Sequence, residues 1–371
     1  MFKRRILCCV LAIWLLVTAV PVMADTANFS TWMDTAAYLR ERTQERADEI
    51  HFTLSAPDVS TMKWEQLAQE CYSMAPLIGY AYFNIVFDDD SADITINPKY
   101  RAGVRMLDAW KSGDTGSLSQ EELTVLNEAK SIVARLQEQY PPCSIELERA
   151  IFDDLCARLT YMKTSETQGN EDLTSATYAL TYGKANCQGY SDAFYLLAGI
   201  AGFEVGFQYG YTDGGLHVWN TIKLSDQWYI VDVSSADNCG DTVSPEIGVY
   251  SFFNAGRNHC TGILSWKPEY ETADISDISD NNFFFYAGIP GFGASFDNLD
   301  AMAQYCYNER AYDGERDVWI ILSGYGEELP VDGINAAMTQ VTNQHNGPTQ
   351  WQFWSWPCGG QQCIMLRWEV F

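Results

Sequence analysis

Apolar positions along the chain follow two spacings, and each change of spacing marks an element. Helical recurrence predicts one helix over Trp32 to Ile50 and another over Met62 to Met74. Tyr80 to Phe87 is aromatic-rich and predicts a strand, with Asp93 to Asn97 able to pair beside it. Ser119, followed three residues later by Glu122, is a capping box that opens a helix through Leu123, Leu126 and Ala129. A second helical run starts at Cys187, buries Phe194, Leu197, Ala198 and Ala201, and ends at Gly202. Leu216 to Leu224 then alternates, and a turn at Ser225-Asp226-Gln227 leads into a strand from Trp228 to Val233.

The last ninety residues mix the two periods. They predict a strand over Phe283 to Ala287 and a helix over Asp297 to Tyr307, with Asp300 completing a capping pattern. A buried strand over Val318 to Leu322, a helix over Ile334 to Thr342 and a hairpin of Trp351 to Trp356 with Ile364 to Phe371 follow. The tryptophans of this hairpin, Trp351, Trp354, Trp356 and Trp368, read as core at strand spacing, with a glycan-binding face as the alternative. The organisation expected is an N-terminal α+β domain over 25–142, a core over 143–270, an acidic linker over 271–282 and a small C-terminal α+β domain over 283–371. No internal repeat is present, which excludes solenoids and propellers.

Residues 1–24 change the expected compartment. Lys3, Arg4 and Arg5 precede an apolar run from Ile6 to Val20, and Val22-Met23-Ala24 puts small residues before Asp25. This is the pattern of a secretory signal peptide, too short for a stable membrane span, so a secreted or envelope protein is expected. No later segment is apolar for long enough to cross a bilayer. The formal charge of −26 becomes about −29 once the three basic residues of the signal are removed. So acidic a chain, with no basic stripe, repels phosphate backbones and excludes nucleic-acid binding. Of eleven cysteines, Cys8 and Cys9 belong to the signal, leaving an odd number. Eight are expected in four disulfides, Cys358 with Cys363 and Cys239 with Cys260 among the candidates, leaving one thiol for another task.

Chemistry concentrates between Tyr182 and Asp237. Cys187 stands at the start of a helix, where unpaired N–H groups and the positive dipole end favour a thiolate. His217 lies on the first strand of the hairpin and Asp232 on the second, as same-face diagonal neighbours if the turn has two residues. A thiolate, an imidazole to pair with it and a carboxylate to orient the imidazole are the requirements of nucleophilic acyl transfer. Of the four histidines, His51, His217, His259 and His345, only His217 stands beside a matching carboxylate strand.

These motifs resemble the transglutaminase-like superfamily. The matching residues are Gly183-Lys184-Ala185-Asn186-Cys187-Gln188-Gly189-Tyr190, His217-Val218-Trp219-Asn220 and Trp228-Tyr229-Ile230-Val231-Asp232-Val233. Ile151 to Tyr161 and Tyr178-Ala179-Leu180 upstream, and Tyr250-Ser251-Phe252-Phe253 with His259 downstream, extend the likeness over about 145–270. The resemblance implies a papain-like α+β core, with Cys187 as nucleophile, His217 as base and acid and Asp232 as orienter. Trp219, Tyr161 and Tyr190 are supporting candidates, Tyr161 also as a side-chain oxyanion donor beside the Cys187 N–H. Ser234-Ser235-Ala236-Asp237-Asn238 departs from the family, which often has a tryptophan and an acidic pair there.

The expected activity is attack on a peptide or protein amide through a Cys187 thioester, with hydrolysis favoured slightly over transfer to an amine. The rival is a non-catalytic envelope, glycan- or protein-binding module that keeps the fold. No cofactor or metal is expected. Asp88-Asp89-Asp90 with Asp93 lacks the glycine and glutamate of a calcium loop, Lys111 to Glu122 lacks its charged positions, and His259-Cys260 is too sparse for zinc.

Overall fold

The computed structural model describes residues 27–55, 70–163, 172–212, 215–224, 226–238, 252–257, 278–279, 292–309, 317–325, 329–345, 350–358 and 361–368. The signal-like segment, most of 62–74 and the strand expected at Phe283 to Ala287 lie outside this set. The fold is α+β throughout, in three packed bodies.

The N-terminal layer is a four-stranded sheet in the order β1-β2-β4-β3, with β1 over Ala27–Phe29, β2 over Ile50–Ser55, β3 over Ile78–Phe87 and β4 over Ser91–Tyr100. The expected pairing of the two aromatic-flanked stretches is present, with Phe83 opposite Ile96. Ile50, Phe52 and Leu54 of β2 and Ala92, Ile94 and Ile96 of β4 turn one face inward, onto Leu39 of helix α1 (Ala36–Gln44). The helix expected to reach Ile50 stops at Gln44. Arg46 has φ 59°, and Arg46 N–H bonds to Thr43 O while Ala47 N–H bonds to Arg42 O, a Schellman ending. Arg46 is held in that conformation by its bidentate grip on Asp108.

The central body is built around helix α6, Cys187–Ile200, which is buried from Gly189 to its end. Helices α2 (Ala102–Ser112), α3 (Gln120–Gln137), α4 (Ile145–Arg158) and α5 (Ala176–Tyr182) pack around it. The capping box at Ser119 forms as expected: Glu122 N–H donates to Ser119 Oγ at 3.2 Å and Ser119 N–H to Glu122 Oε2 at 2.9 Å. Val104, Met106 and Leu107 of α2 and Val125, Leu126, Ile132 and Val133 of α3 join the core around α6. The N-terminal layer's own core ends with Ile96. An apolar stripe reveals that a helix is buried but not against which neighbour, and α2 and α3, which fall within 25–142, turn theirs into the core around α6. α2 comes in close because Gly199 has no side chain: a Cβ there would stand 2.4 Å from Leu107 Cδ2.

Against α6 lies an antiparallel sheet of β7 (Glu204–Thr212), β8 (Gly215–Leu224) and β9 (Gln227–Val231), with the two-strand ribbon of β5 (Thr160–Tyr161) and β6 (Lys184–Ala185) near the start of the helix. Leu224 pairs with Gln227, so the β8–β9 turn has the expected two residues. The second strand ends at Val231, not Val233, because Asp232 caps a new helix, α7 (Val233–Asn238). The open edge of β9 is covered by two short pieces: Ala255 bridges Ile230, and Ile278 bridges Trp228. Ile278 is buried, so the acidic stretch 271–282 is anchored to the core at that point.

The C-terminal body is a sheet in the order β10-β11-β13-β12, from Phe292–Phe296, Asp317–Leu322, Gln361–Trp368 and Trp351–Cys358, with helices α8 (Leu299–Asn308) and α9 (Val331–His345). The cap of α8 is Asn298 and not Asp297, accepting from Ala301 N–H at 2.9 Å. Trp368 is fully buried and donates its indole N–H to Cys306 O at 3.3 Å, as a core residue does. The side chains of Trp354 and Trp356 lie outside the described set.

Four disulfides do not form. Cys71, Cys143, Cys156, Cys187 and Cys306 all carry free thiols, while Cys239, Cys260 and the side chains of Cys358 and Cys363 lie outside the described set. Cys71 and Cys306 sit inside apolar cores and behave there as small hydrophobes, which counting cannot detect. Among the described residues no helix is long and apolar enough to cross a membrane and no group of side chains could hold a metal ion.

Gly199→Ala tests the packing of α2 in this core. Overpacking against Leu107 is expected to cost about 1–3 kcal/mol in urea unfolding, in the same transition that exposes Cys187. An unchanged midpoint would show that α2 is not part of this core.

Candidate active site

Three local devices bring Cys187, His217 and Asp232 together. The first is the start of α6. Asn186 caps it, its side-chain oxygen accepting from Gln188 N–H at 2.9 Å and Gly189 N–H at 3.3 Å. Asn186 N–H in turn bonds to Leu173 O, which draws the preceding loop against the helix end. Gly189 is required by that contact: a Cβ there would stand 2.4 Å from Leu173 O and 2.9 Å from Ala185 Cβ. Cys187, the first helical residue, is left partly exposed.

The second device fixes β8 to α6. Asn220 donates to Ser191 O at 3.1 Å and to Gly206 O at 3.0 Å, and Ser191 Oγ donates to Val218 O at 3.2 Å. These bonds set the spacing between the helix that carries Cys187 and the strand that carries His217. Directly across from His217 on β7 is Gly210, which places no side chain there. Trp219 is completely buried, with its ring 5.8 Å from the imidazole.

The third device is the helix start at Asp232. His217 Nε2 lies 2.7 Å from Asp232 Oδ2, and Cys187 is near enough to the ring to add to the upward pull on its pKa. Asp232 is 1% exposed and surrounded by donors. Ser234 Oγ donates to Oδ1 at 2.9 Å, Ser235 N–H to Oδ1 at 3.0 Å and Ser235 Oγ to Oδ2 at 2.6 Å. Ser235 Oγ is also 3.3 Å from His217 Nε2.

The charges follow from these contacts. Burial opposes a charge on His217, but the charge and hydrogen bond of Asp232, joined by Cys187, raise its pKa to about 10. Burial alone would raise Asp232; the imidazolium and the Ser235 donors win and hold it below the ordinary carboxylate range. These contacts favour the charged imidazole at neutral pH, with the Cys187 thiol among the groups that raise its pKa. A cysteine, an imidazole and a buried carboxylate brought together are what nucleophilic acyl transfer requires.

The supporting candidates divide. Tyr190 is fully buried and its hydroxyl donates to Asp237, tying α6 to α7. Tyr161 packs at 6.3 Å from the Tyr190 ring. Both lie on the supporting side of the site. Sequence reasoning missed Tyr209 of β7, a buried residue whose hydroxyl accepts from Arg101 and whose pKa is raised by burial and by the nearby Cys187, against the pull of Arg101. Ser234 and Ser235, where the chain departs from the family, are the donors that hold Asp232. An Asp followed three residues later by Ser is an N-cap pattern, the one signal that could have found them.

Residues 129–233 match the family model of the transglutaminase-like superfamily. Kyphoscoliosis peptidase of Mus musculus is 25% identical over 138 residues, covering 34% of this chain and 21% of the relative. Kyphoscoliosis peptidase of Homo sapiens is 26% identical over 121 residues, covering 29% of this chain and 18% of the relative. The matched stretch thus spans about a fifth of these relatives. A solved TGase crystal structure shares 12% identity over 50% of this chain and 51% of its own, with a TM-score of 0.26.

The His217–Asp232 pair sets a pH window. Because the folded-state pKa of His217 is raised, its stabilisation is complete below the ordinary value near 6.5 and is lost as pH rises through about 10. Because Asp232 is depressed, its share is present above the ordinary carboxylate value and is lost on acidification. NMR titration of His217 should give a pKa far above 6.5 in the intact protein, falling by more than about 2 units in Asp232→Asn and by less in Ser235→Ala. A normal histidine titration in the intact protein would refute the pairing.

Proposed function

With residues 129–233 forming a transglutaminase-like domain, we propose that this chain is a cysteine enzyme that opens a peptide or protein amide through a thioester on Cys187. The observation that carries the reading is His217, paired with buried Asp232 at 2.7 Å and with Cys187 close enough to share in raising its pKa. The Cys187 sulfur adds to the amide carbonyl carbon while the imidazolium holds the proton. His217 then gives that proton to the leaving nitrogen, the C–N bond breaks, and the thioester remains. In the second half the neutral imidazole takes a proton from the incoming water or amine, which attacks the thioester and releases the sulfur. Asp232 stays ionised and holds the ring by one nitrogen, leaving the other for the sulfur.

Hydrolysis is the reading favoured for the second half. It is supported by the peptidase names of the two curated relatives, and nothing in the motifs specifies an amine acceptor. The N-terminal pattern of residues 1–24 supports placing the enzyme outside the cytoplasm, where peptide or envelope-associated protein would be the substrate.

Iodoacetamide labelling of the native protein should modify Cys187 faster than buried Cys71 and Cys306, and Asp232→Asn should slow it. Glutaminyl peptides assayed together for cleavage, ammonia release and amine incorporation should show cleavage. Amine incorporation without cleavage would assign the transferase reaction instead. Cys187→Ala should lose about 10³-fold or more in turnover with an unchanged melting curve. Turnover that survives this substitution would overturn the assignment of the nucleophile.

A further inference from the structure

Behind the site, on the far side of Asp232, is a pair of polar groups that the reaction does not use. Glu148 of α4 and Asn254 of the 252–257 segment are both 0% exposed. Asn254 Nδ2 donates to Glu148 Oε2 at 2.9 Å. The other carboxyl oxygen, Glu148 Oε1, and the amide oxygen, Asn254 Oδ1, are sealed from solvent and accept no hydrogen bond. Were the carboxyl ionised, two buried acceptors would be left without a donor, which is the costly state for a buried polar group. A carboxylic acid supplies the missing donor, since its O–H and C=O match the C=O and N–H of an amide. Asn254 also has φ 50°, a conformation kept only where its surroundings determine it.

We propose that Glu148 is a neutral carboxylic acid in the folded protein and closes a two-bond acid–amide pair with Asn254, a latch that positions Asp232. Burial acts in the same direction, pushing the Glu148 carboxyl up to about 8 against the pull of the Asn254 amide. Neighbouring charges do not account for it. The titratable groups on the packed elements include Glu128 and Arg135 of α3, Arg149, Asp153 and Cys156 of α4, Cys187, Tyr190 and Asp192 of α6, Asp237 of α7, and Asp232 and Arg257 beside the segment. None of them figures in the shift of Glu148.

The latch reaches the site through the backbone. Asp232 N–H bonds to Phe252 O at 2.9 Å, Ile230 and Ala255 exchange bonds of 2.8 and 2.9 Å, and Phe253 packs edge-on against Phe152 of α4 at 5.2 Å. Fixing Asn254 on α4 therefore fixes the segment whose Phe252 carbonyl holds the Asp232 backbone beside His217. This positioning role rests on the catalytic reading above; the protonation state of Glu148 does not.

Melting of the full-length protein and of Glu148→Gln across pH 4–9 tests the protonation state. Glutamine keeps the neutral shape and the donor but cannot ionise. A raised carboxyl pKa makes stability complete below the ordinary value near 4.5 and draws it down as pH rises to about 8. The intact protein should therefore lose at least roughly 4 °C relative to Glu148→Gln across that window. Parallel curves would mean an ionised Glu148 and would overturn the proposal. Should the variant not fold, carbon NMR of glutamate-labelled protein decides: one carboxyl titrating near 8 upholds the latch, and none above the ordinary range overturns it. For positioning, Asn254→Ala should lower the His217 titration, and an unmoved titration would overturn that role. Failure of the catalytic reading itself shows elsewhere, as turnover in Cys187→Ala.

Discussion

The buried carboxylate of Asp232 is the constraint on which the site depends. An ionised carboxylate at 1% exposure persists only if charge and donors replace the water it has lost. Here His217 supplies the charge, and two serines with one backbone N–H supply the donors. The same carboxylate caps α7, so the orientation of the imidazole and the end of β9 are one structural event. Where β9 would have continued pairing, the chain turns into a helix whose first donors point at Asp232.

Cys187 is brought to that imidazole by a helix that is almost wholly inside the protein. α6 is surrounded by four helices and a sheet, and close packing needs small residues where its neighbours approach. Gly189 and Gly199 do this at its two ends, one admitting the loop carbonyl of Leu173 and the other the side chain of Leu107. Asn220 then fastens the strand of His217 to the helix of Cys187 by bonds to backbone carbonyls. Cys187 and His217 are thus held by the core, while Asp232 is secured by Ser234, Ser235 and the 252–255 segment.

The three site residues were legible because each belongs to a local pattern. Asn186 before Cys187 is a cap, His217 sits in an alternating strand, and the two-residue turn after Leu224 sets the register that carries Asp232 towards His217. The supporting contacts were not legible, because they join residues far apart in the chain. Arg101 reaches Tyr209, Glu148 reaches Asn254 and Asn220 reaches Ser191, and no periodicity encodes such pairs. The cysteines show the same limit from the other side. Their number suggested disulfides, yet Cys71 and Cys306 are packed as apolar side chains, and only their surroundings reveal it.

The sequence by itself therefore determined the α+β class, most of the strands and helices and the hairpin register, and it singled out Cys187, His217 and Asp232 as the candidate site. Those features follow from propensity, alternation and capping, which act over a few residues. Tertiary structure decided that α2 and α3 belong to the core of α6, that β9 stops at Val231, that five thiols stay free, and which donors keep Asp232 charged. Burial and partner choice arise only when distant segments meet, because they depend on which atoms exclude water from a given side chain.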